Sequence, residues 1–369
     1  MNKRFLQRGK MMVMGVCAVG VIVLLLSFSA DTAEGVRKGL TYACELLIPA
    51  LFPFMVLSSF LIRSGLADSI GAWCGTFTRR WFRLPPSASG AILLSFIGGF
   101  PVGAKCVRLL YEQKTITAQQ AEQMMLFCVG AGPAFLVTGI GTLLLHDTRA
   151  GVLLFVSQVL SGLLLGWLAG RLFGSRDQRS LKRQEKPSRG KVSWAEALIF
   201  SSSDGAHALI QMTALVALFG MLSALNERIG LCSLVESVLQ WCGAEPALAE
   251  QAYYILTEVT AACQRMGAGG CPLWLIAMAV GFGGLCVHCQ IWVLLGDLPL
   301  SKAKFLLFRG INAFMSSGIV YAASRFYQPA VMAAATGDTV QVEWGAMTAT
   351  GTDALLLLSV LFVLSLRKT

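Results

Sequence analysis

The fold is decided by residues 95–105, which read SFIGGFPVGAK. They end the apolar stretch 88–104, which is too short for a full crossing because a spanning helix needs about 20 apolar residues. Gly98, Gly99 and Pro101 are predicted to break the helix within this stretch. Irregular backbone is tolerated at membrane depth only where protein or a water-filled cavity covers it. The stretch is therefore predicted to be re-entrant, entering and leaving on one side.

The composition of the whole chain is that of a membrane protein. Of the 369 residues, 55% are apolar and 14% are charged, whereas soluble domains have about 25% charged residues. The net charge of +10 does not indicate a nucleic-acid partner, because the Lys and Arg residues lie between apolar runs, as topology signals do. The cysteines are predicted to be reduced and buried, without a disulfide framework. This prediction applies to Cys17, Cys44, Cys106, Cys128, Cys263, Cys286 and Cys289.

Other apolar runs are long enough to be full spans. A second short stretch, 251–266, contains Glu258, Gln264 and Arg265 and is also predicted to be re-entrant. The first apolar run, at 11–29, could instead be a cleaved signal peptide, but its long apolar core favours an uncleaved span. The predicted full spans are 11–29, 40–62, 124–145, 151–173, 205–226, 273–295, 305–323 and 352–366.

The sidedness of the chain is predicted from its Lys and Arg residues, which favour cytoplasmic loops. We place the N-terminus inside, alternate sides at each full span, and let both re-entrant stretches return. The inside segments then hold 24 of the 30 Lys and Arg residues. If either re-entrant stretch crossed fully, every later loop would change sides and this bias would disappear. Both termini are therefore predicted to be cytoplasmic.

The order of elements repeats on either side of a polar, basic linker, and the two halves are predicted to be inverted relative to each other. Inverted repeats with interrupted helices indicate a secondary transporter with its site near the midplane, although duplication also occurs in other membrane proteins. The linker is expected to lie near anionic lipid headgroups. The predicted domains are an N-terminal transmembrane anchor (1–34), the first repeat (35–173), the cytoplasmic linker (174–193), the inverted second repeat (194–325), and an outer loop with a C-terminal transmembrane helix (326–369).

The segment 95–105 also supplies candidate site residues. Glycine lets backbone approach a ligand closely, which makes Gly98, Gly99 and Gly103 candidates. Pro101 frees backbone groups, and a helix beginning there would direct N–H groups and its positive end toward an anionic group. Lys105 is a candidate counter-charge for the substrate, and the alternative is that it snorkels to the inner surface.

The third element of each half carries a glycine cluster within its apolar run. We predict that both clusters line the site, with close helix packing as the alternative. The clusters are Gly130-Ala131-Gly132-Pro133 and Gly281-Phe282-Gly283-Gly284.

Polar residues in the second half complete the candidate set. Glu258 lies in an apolar stretch, where an unpaired carboxylate costs about 3 kcal/mol, so it is expected to bind substrate, a proton or a cation, or to pair with Arg265. His288 could bind substrate or relay protons, or simply pack, and Gln290 suits a polar heterocycle. A metal site at Cys286 and its neighbours is not favoured, because those side chains point to different faces of a helix.

Four runs of sequence resemble the YlbJ or SpoVV family of sporulation integral membrane proteins, within the nucleoside-recognition, or Gate, superfamily. GGFPVGAK at 98–105 and LLYEQKTITAQQAEQMMLFCVGAGPAF at 109–135 are similar to its first repeat. ILTEVTAAC at 255–263 and GFGGLCVHCQI at 281–291 are similar to its second repeat. The resemblance covers about residues 35–325.

The resemblance implies a fold similar to concentrative nucleoside transporters, in which two re-entrant hairpins and two broken helices meet around the substrate. The chain departs from the family at Thr260-Ala261-Ala262, where members have a small polar residue and a Gly after the glutamate, and this changes the contacts expected there. The site residues implied are Gly99, Pro101, Gly103, Gly132, Pro133, Glu258, Thr260, Gly284, His288 and Gln290.

The predicted function is transport of a small anionic or heterocyclic solute by alternating access. Family members are implicated in moving dipicolinate toward the forespore, and the outer forespore membrane is the implied location. The alternatives are a nucleoside carrier and a non-transporting membrane partner in spore envelope assembly. An enzyme is least favoured, since no catalytic motif is present. No cofactor or metal is expected, and the partners are the bilayer, the solute and a coupling proton or sodium ion.

Overall fold

The computed structural model describes residues 3–174 and 193–325, whose regular secondary structure is all helical, with no β-strand in these ranges. The predicted loop 326–351, the span 352–366 and all but the ends of the linker 174–193 lie outside the described residues. The α-helices are α1 (Lys3–Ser27), α2 (Ser29–Tyr42), α3 (Ile48–Arg63), α4 (Leu66–Phe77), α5 (Ser89–Gly98), α6 (Phe100–Glu112), α7 (Ala118–Met125), α8 (Thr148–Leu172), α9 (Trp194–Arg228), α10 (Leu231–Trp241), α11 (Pro246–Thr257), α12 (Val259–Ala268), α13 (Leu273–Phe282), α14 (Gly284–Leu295) and α15 (Lys302–Ser324).

Four helical segments of the described chain are long and apolar enough to cross a membrane, namely α8, α9, α13 with α14, and α15. They confirm the predicted spans 151–173, 205–226, 273–295 and 305–323. Met14–Ser27 and Ser29–Glu45 meet the same criteria as a pair bent by 86°. The chain is therefore an all-α, polytopic membrane protein.

The helical run after the bend is longer than the predicted span 40–62. It starts at Ser29 and continues through a π-helix at Ala43–Leu47 into α3, so that α2 crosses the predicted boundary between residues 34 and 35. The backbones of α2 and α9 pack closely, since a Cβ on Gly35 would lie 2.5 Å from the Gly220 carbonyl oxygen. Small residues allow such close approach between membrane helices.

The predicted span 124–145 differs from the structure. Helix α7 ends at Met125, residues 126–132 are not helical, and a π-helix follows at Ala134–Leu144. Gly130, Gly132 and Pro133 lie in or directly after the non-helical part, where glycine and proline interrupt helical hydrogen bonding. The element is thus broken as predicted, but its helical part is much shorter than a full span.

Two amphipathic helices outside the predicted spans precede the candidate re-entrant stretches. Helix α4 exposes 93% of Trp73, and α10 exposes 88% of Trp241. Exposed tryptophans of this kind are typical of membrane–water interfaces. Neither helix is among the elements predicted from sequence, because helices of 12 and 11 residues do not have the length of a span.

The cysteines follow the prediction only in part. Every cysteine whose side chain is described is free, and Cys106, Cys128, Cys263 and Cys286 are buried. Cys44 is exposed and Cys289 is only partly buried, both in contrast to the prediction, and the side chain of Cys17 lies outside the described residues.

Candidate substrate site

The first hairpin consists of α5 and α6 and turns at Gly99. This residue has φ +84° and ψ −172°, a conformation that is essentially restricted to glycine. A Cβ on Gly103 would lie 3.0 Å from the Cβ of Ser95, whereas eight residues of straight helix span about 12 Å. The chain therefore folds back at the position where sequence predicts a re-entrant turn. The membrane face from which it enters stays a prediction.

The second hairpin consists of α11 and α12 and turns at Glu258, whose backbone is extended with φ −149° and ψ 110°. The guanidinium of Arg265 lies 4.3 Å from the centre of the Tyr254 ring, eleven residues earlier. A straight helix would separate these two residues by about 16 Å. Their contact shows that the second predicted stretch also turns back on itself.

The turns of the hairpins meet the glycine clusters of the broken elements. A Cβ on Gly99 would lie 3.0 Å from the amide nitrogen of Gly132, and one on Gly284 would lie 3.1 Å from the amide nitrogen of Glu258. The two halves meet where the Phe100 ring comes within 3.4 Å of the Cβ position of Gly283. All four helix breaks therefore converge in one region, which we call the break cluster.

The carboxylate of Glu258 caps the helix that follows it. One oxygen accepts a hydrogen bond from the amide of Thr260 at 3.0 Å, and the other accepts one from the amide of Ala261 at 2.5 Å. A carboxylate at this position also opposes the positive end of the helix dipole. The alternative pair between Glu258 and Arg265 is not formed, because Arg265 lies 3.7 Å from Glu227 instead.

Thr260 joins the second hairpin to the π-helix region through Tyr42. The Thr260 hydroxyl donates a hydrogen bond to the Tyr42 hydroxyl oxygen at 3.1 Å. Tyr42 is not among the residues predicted from sequence, since a tyrosine near the start of an apolar run carries no local signal of its neighbours in space.

His288 and Gln290 lie directly after the second break, within α14. His288 is fully buried, and its Nε2–H donates to the Phe282 carbonyl oxygen at 2.9 Å, which satisfies a carbonyl freed by the break. The Phe282 and Phe305 rings meet the imidazole edge-on. The Gln290 amide lies 3.4 Å from the sulfur of Cys286. His288 thus supports the break from within the protein, and no metal cluster is found among the described residues.

Lys105 lies on α6, beyond the first turn. Its side chain is only 7% exposed, and Nζ has no hydrogen-bond partner among the described residues. Asp204 and Arg63, which form an ion pair with each other, are within electrostatic range. Lys105 is therefore enclosed by protein and does not snorkel to the surface.

One face of α15 adds buried polar residues that are missing from the predicted site. Arg309 donates to the carbonyl oxygen of Val129, the residue before the first glycine cluster. One turn further, the Asn312 amide donates to the Gly281 carbonyl oxygen at 3.0 Å. With Ser316, these residues follow helical spacing along α15, and that periodicity is the sequence signal that could identify them.

Comparisons with known proteins agree with this description. Residues 45–146 match the family model described as Gate, nucleoside recognition, and this range contains the first hairpin and the first break. The fold thus defines a polytopic helical membrane protein, part of which is similar to the Gate family.

Among curated proteins, the chain is similar to the sporulation integral membrane protein YlbJ of Bacillus subtilis (strain 168). The identity is 27% over 161 residues, which cover 44% of this chain and 39% of that protein. The match therefore spans about two fifths of the length of the relative. Both findings confirm the predicted resemblance to the YlbJ family. No solved structure matches the chain.

Proposed function

We propose that the protein transports a small anionic or heterocyclic solute across a bacterial membrane by alternating access. The observation that carries this proposal is that the four helix breaks converge. Gly99 lies against Gly132, and Gly284 lies against Glu258. Interrupted helices that meet inside a bundle are typical of solute sites in secondary transporters. Backbone groups released at such breaks need a partner inside the membrane, and a polar solute supplies one.

The solute that we propose first is dipicolinate, moved toward the forespore across its outer membrane with a proton or sodium ion as the coupling ion. Two buried cations, Lys105 and Arg309, favour an anion, and the similarity to a protein whose name states a sporulation role favours this setting. A nucleoside is the second candidate, because the matching family model is described as nucleoside recognition. In this proposal both termini face the cytoplasm.

Uptake into vesicles tests transport and separates the two solutes. Proteoliposomes that contain the full-length protein should accumulate labelled dipicolinate above empty vesicles, and excess uridine should compete only if the site takes nucleosides. Gly132→Ala should lower uptake by roughly tenfold or more, because its Cβ would lie 3.0 Å from the Ile97 carbonyl oxygen and shift the break.

Gly318→Ala is the matched control, since no atom lies within 4 Å of its Cβ position in α15. If monodisperse protein takes up neither solute, the transport proposal fails and a non-transporting membrane partner becomes the better interpretation.

A further inference from the structure

Arg309 is a buried cation without a carboxylate partner. Its side chain is 1% exposed, and one terminal nitrogen, Nη1, donates to the Val129 carbonyl oxygen. Nε and Nη2 have no hydrogen-bond partner within residues 3–174 and 193–325. No ion pair that includes Arg309 occurs in the same described ranges. An arginine so placed in a membrane helix is energetically costly unless another group neutralises it.

The two unpartnered nitrogens form one edge of the guanidinium. Nε–H and the adjacent Nη2–H point in nearly parallel directions, and this edge matches the two oxygens of a carboxylate. The third nitrogen anchors the group to Val129 and so fixes the direction in which the free edge points. The geometry is therefore that of an oriented carboxylate receptor rather than of a diffuse positive charge.

The surroundings of Arg309 also favour an anion. Val129 directly precedes Gly130, and no atom lies within 4 Å of the Cβ position of Gly130, so there is open space beside the first break. The π-helix that begins after Pro133 has no side-chain cap at its N-terminus, and neither has α6 after Gly99. Both helix ends contribute partial positive charge to the region that Arg309 adjoins.

We propose that Arg309 binds a carboxylate group of the solute through its Nε and Nη2 edge, which makes the site selective for carboxylates over neutral nucleosides. This inference rests on the proposed solute site and names the residue that sets its selectivity. The free space at Gly130 and the uncapped helix ends accommodate the negative charge of the bound group. Among the described residues Glu258 forms no ion pair with Arg309, and its carboxylate accepts two backbone amides of its own helix instead.

Equilibrium binding to the full-length protein in detergent tests this assignment without requiring transport. The probes are labelled dipicolinate, succinate, benzoate and uridine. Arg309→Gln should weaken binding of the carboxylate that the wild type binds best by about 100-fold, as expected for loss of a buried charge partner. Arg309→Lys keeps the charge but loses the flat edge, and should weaken binding by about tenfold. Arg325→Gln, an exposed change directly after the end of the same helix, should leave binding unchanged.

A second measurement separates binding from a structural role. Without ligand, Arg309→Gln should be at least as resistant to heat as the wild type, because it removes an unpaired buried charge. If this variant unfolds at a lower temperature and its affinity falls equally for all probes, Arg309 only holds the Val129 carbonyl and the proposal is wrong. It is also wrong if the wild type binds uridine but none of the three carboxylates, or none of the probes. Arg309-dependent carboxylate binding without vesicle uptake would support this assignment and contradict transport.

Discussion

The two hairpins have the same outline but opposite chemistry at their turns. The first turns at Gly99, and the helix that follows begins without a side-chain cap. The second turns at Glu258, and its carboxylate accepts two backbone amides of the following helix. One turn therefore presents unoccupied helix-end charge to the break cluster, whereas the other neutralises its own helix end.

This difference indicates a polarity within the break cluster. Helix ends without a side-chain cap occur at both breaks, at α6 and at α14, but Arg309 lies on the side of the first break, where Gly130 has free space. On the side of the second break, the Glu258 carboxylate is already held by its own helix. A carboxylate solute would therefore be bound mainly by the first half and by α15, with the second hairpin closing against it as a neutral surface.

The largest expected effect comes from breaking the first hairpin. In Gly103→Ala the new Cβ would overlap the carbonyl oxygen of Cys128, which is a backbone atom of a buried residue. We expect a loss of about 3 kcal/mol or more in the free energy of unfolding, above the usual cost of overpacking. Unfolding in mixed detergent micelles, followed by tryptophan fluorescence, measures this change.

Gly130→Ala is the matched control for that prediction. It lies in the same region, has no positive φ, and has no atom within 4 Å of its Cβ position. Its free energy of unfolding should change by less than about 0.5 kcal/mol, as for substitutions away from packed features. Equal effects of the two alanines would mean that the hairpin does not pack against Cys128 as described.

The next effect tests the cap at the second turn. Glu258→Ala should lower the free energy of unfolding by about 1–2 kcal/mol, because two helix amides lose their acceptor. Glu258→Asp should recover most of this loss, since aspartate is a preferred cap residue. The same unfolding measurement compares the two variants. If aspartate is as destabilising as alanine, capping is not the main role of the carboxylate.

The break positions could be predicted closely from sequence, because glycine and proline act locally. Gly99 and Gly283 interrupt helices where their clusters predict, and α8, α9, α13 with α14 and α15 follow from long apolar runs. The extent of the first broken element could not be predicted, since hydropathy does not distinguish a full helix from residues 126–132, which are apolar and non-helical. The inverted relation of the two halves stays a prediction.

The partners of the charged residues could not be predicted, because they depend on contacts distant in sequence. Arg309 is one of the basic residues from which the sidedness is predicted, yet it is buried against Val129, 180 residues earlier in the chain. Glu258 and Arg265 are close in sequence and opposite in charge, which favours a pair, but the turn at Glu258 directs its carboxylate toward backbone amides. Local pattern identifies such residues as unusual without indicating what they contact.

The smallest expected effect concerns Glu258 and Arg265, which do not form an ion pair with each other. Arg265 lies 3.7 Å from Glu227, and the two side chains are 45% and 49% exposed, so solvent screens their attraction. Arg265→Gln should therefore cost less than about 1 kcal/mol in the free energy of unfolding. In the double variant with Glu258→Ala, the two losses in the free energy of unfolding should add. The coupling energy between them should stay below about 0.5 kcal/mol, because the two side chains have no common partner. A coupling energy well above that value would mean that Arg265 neutralises Glu258, and the contrast between the two hairpin turns would then disappear.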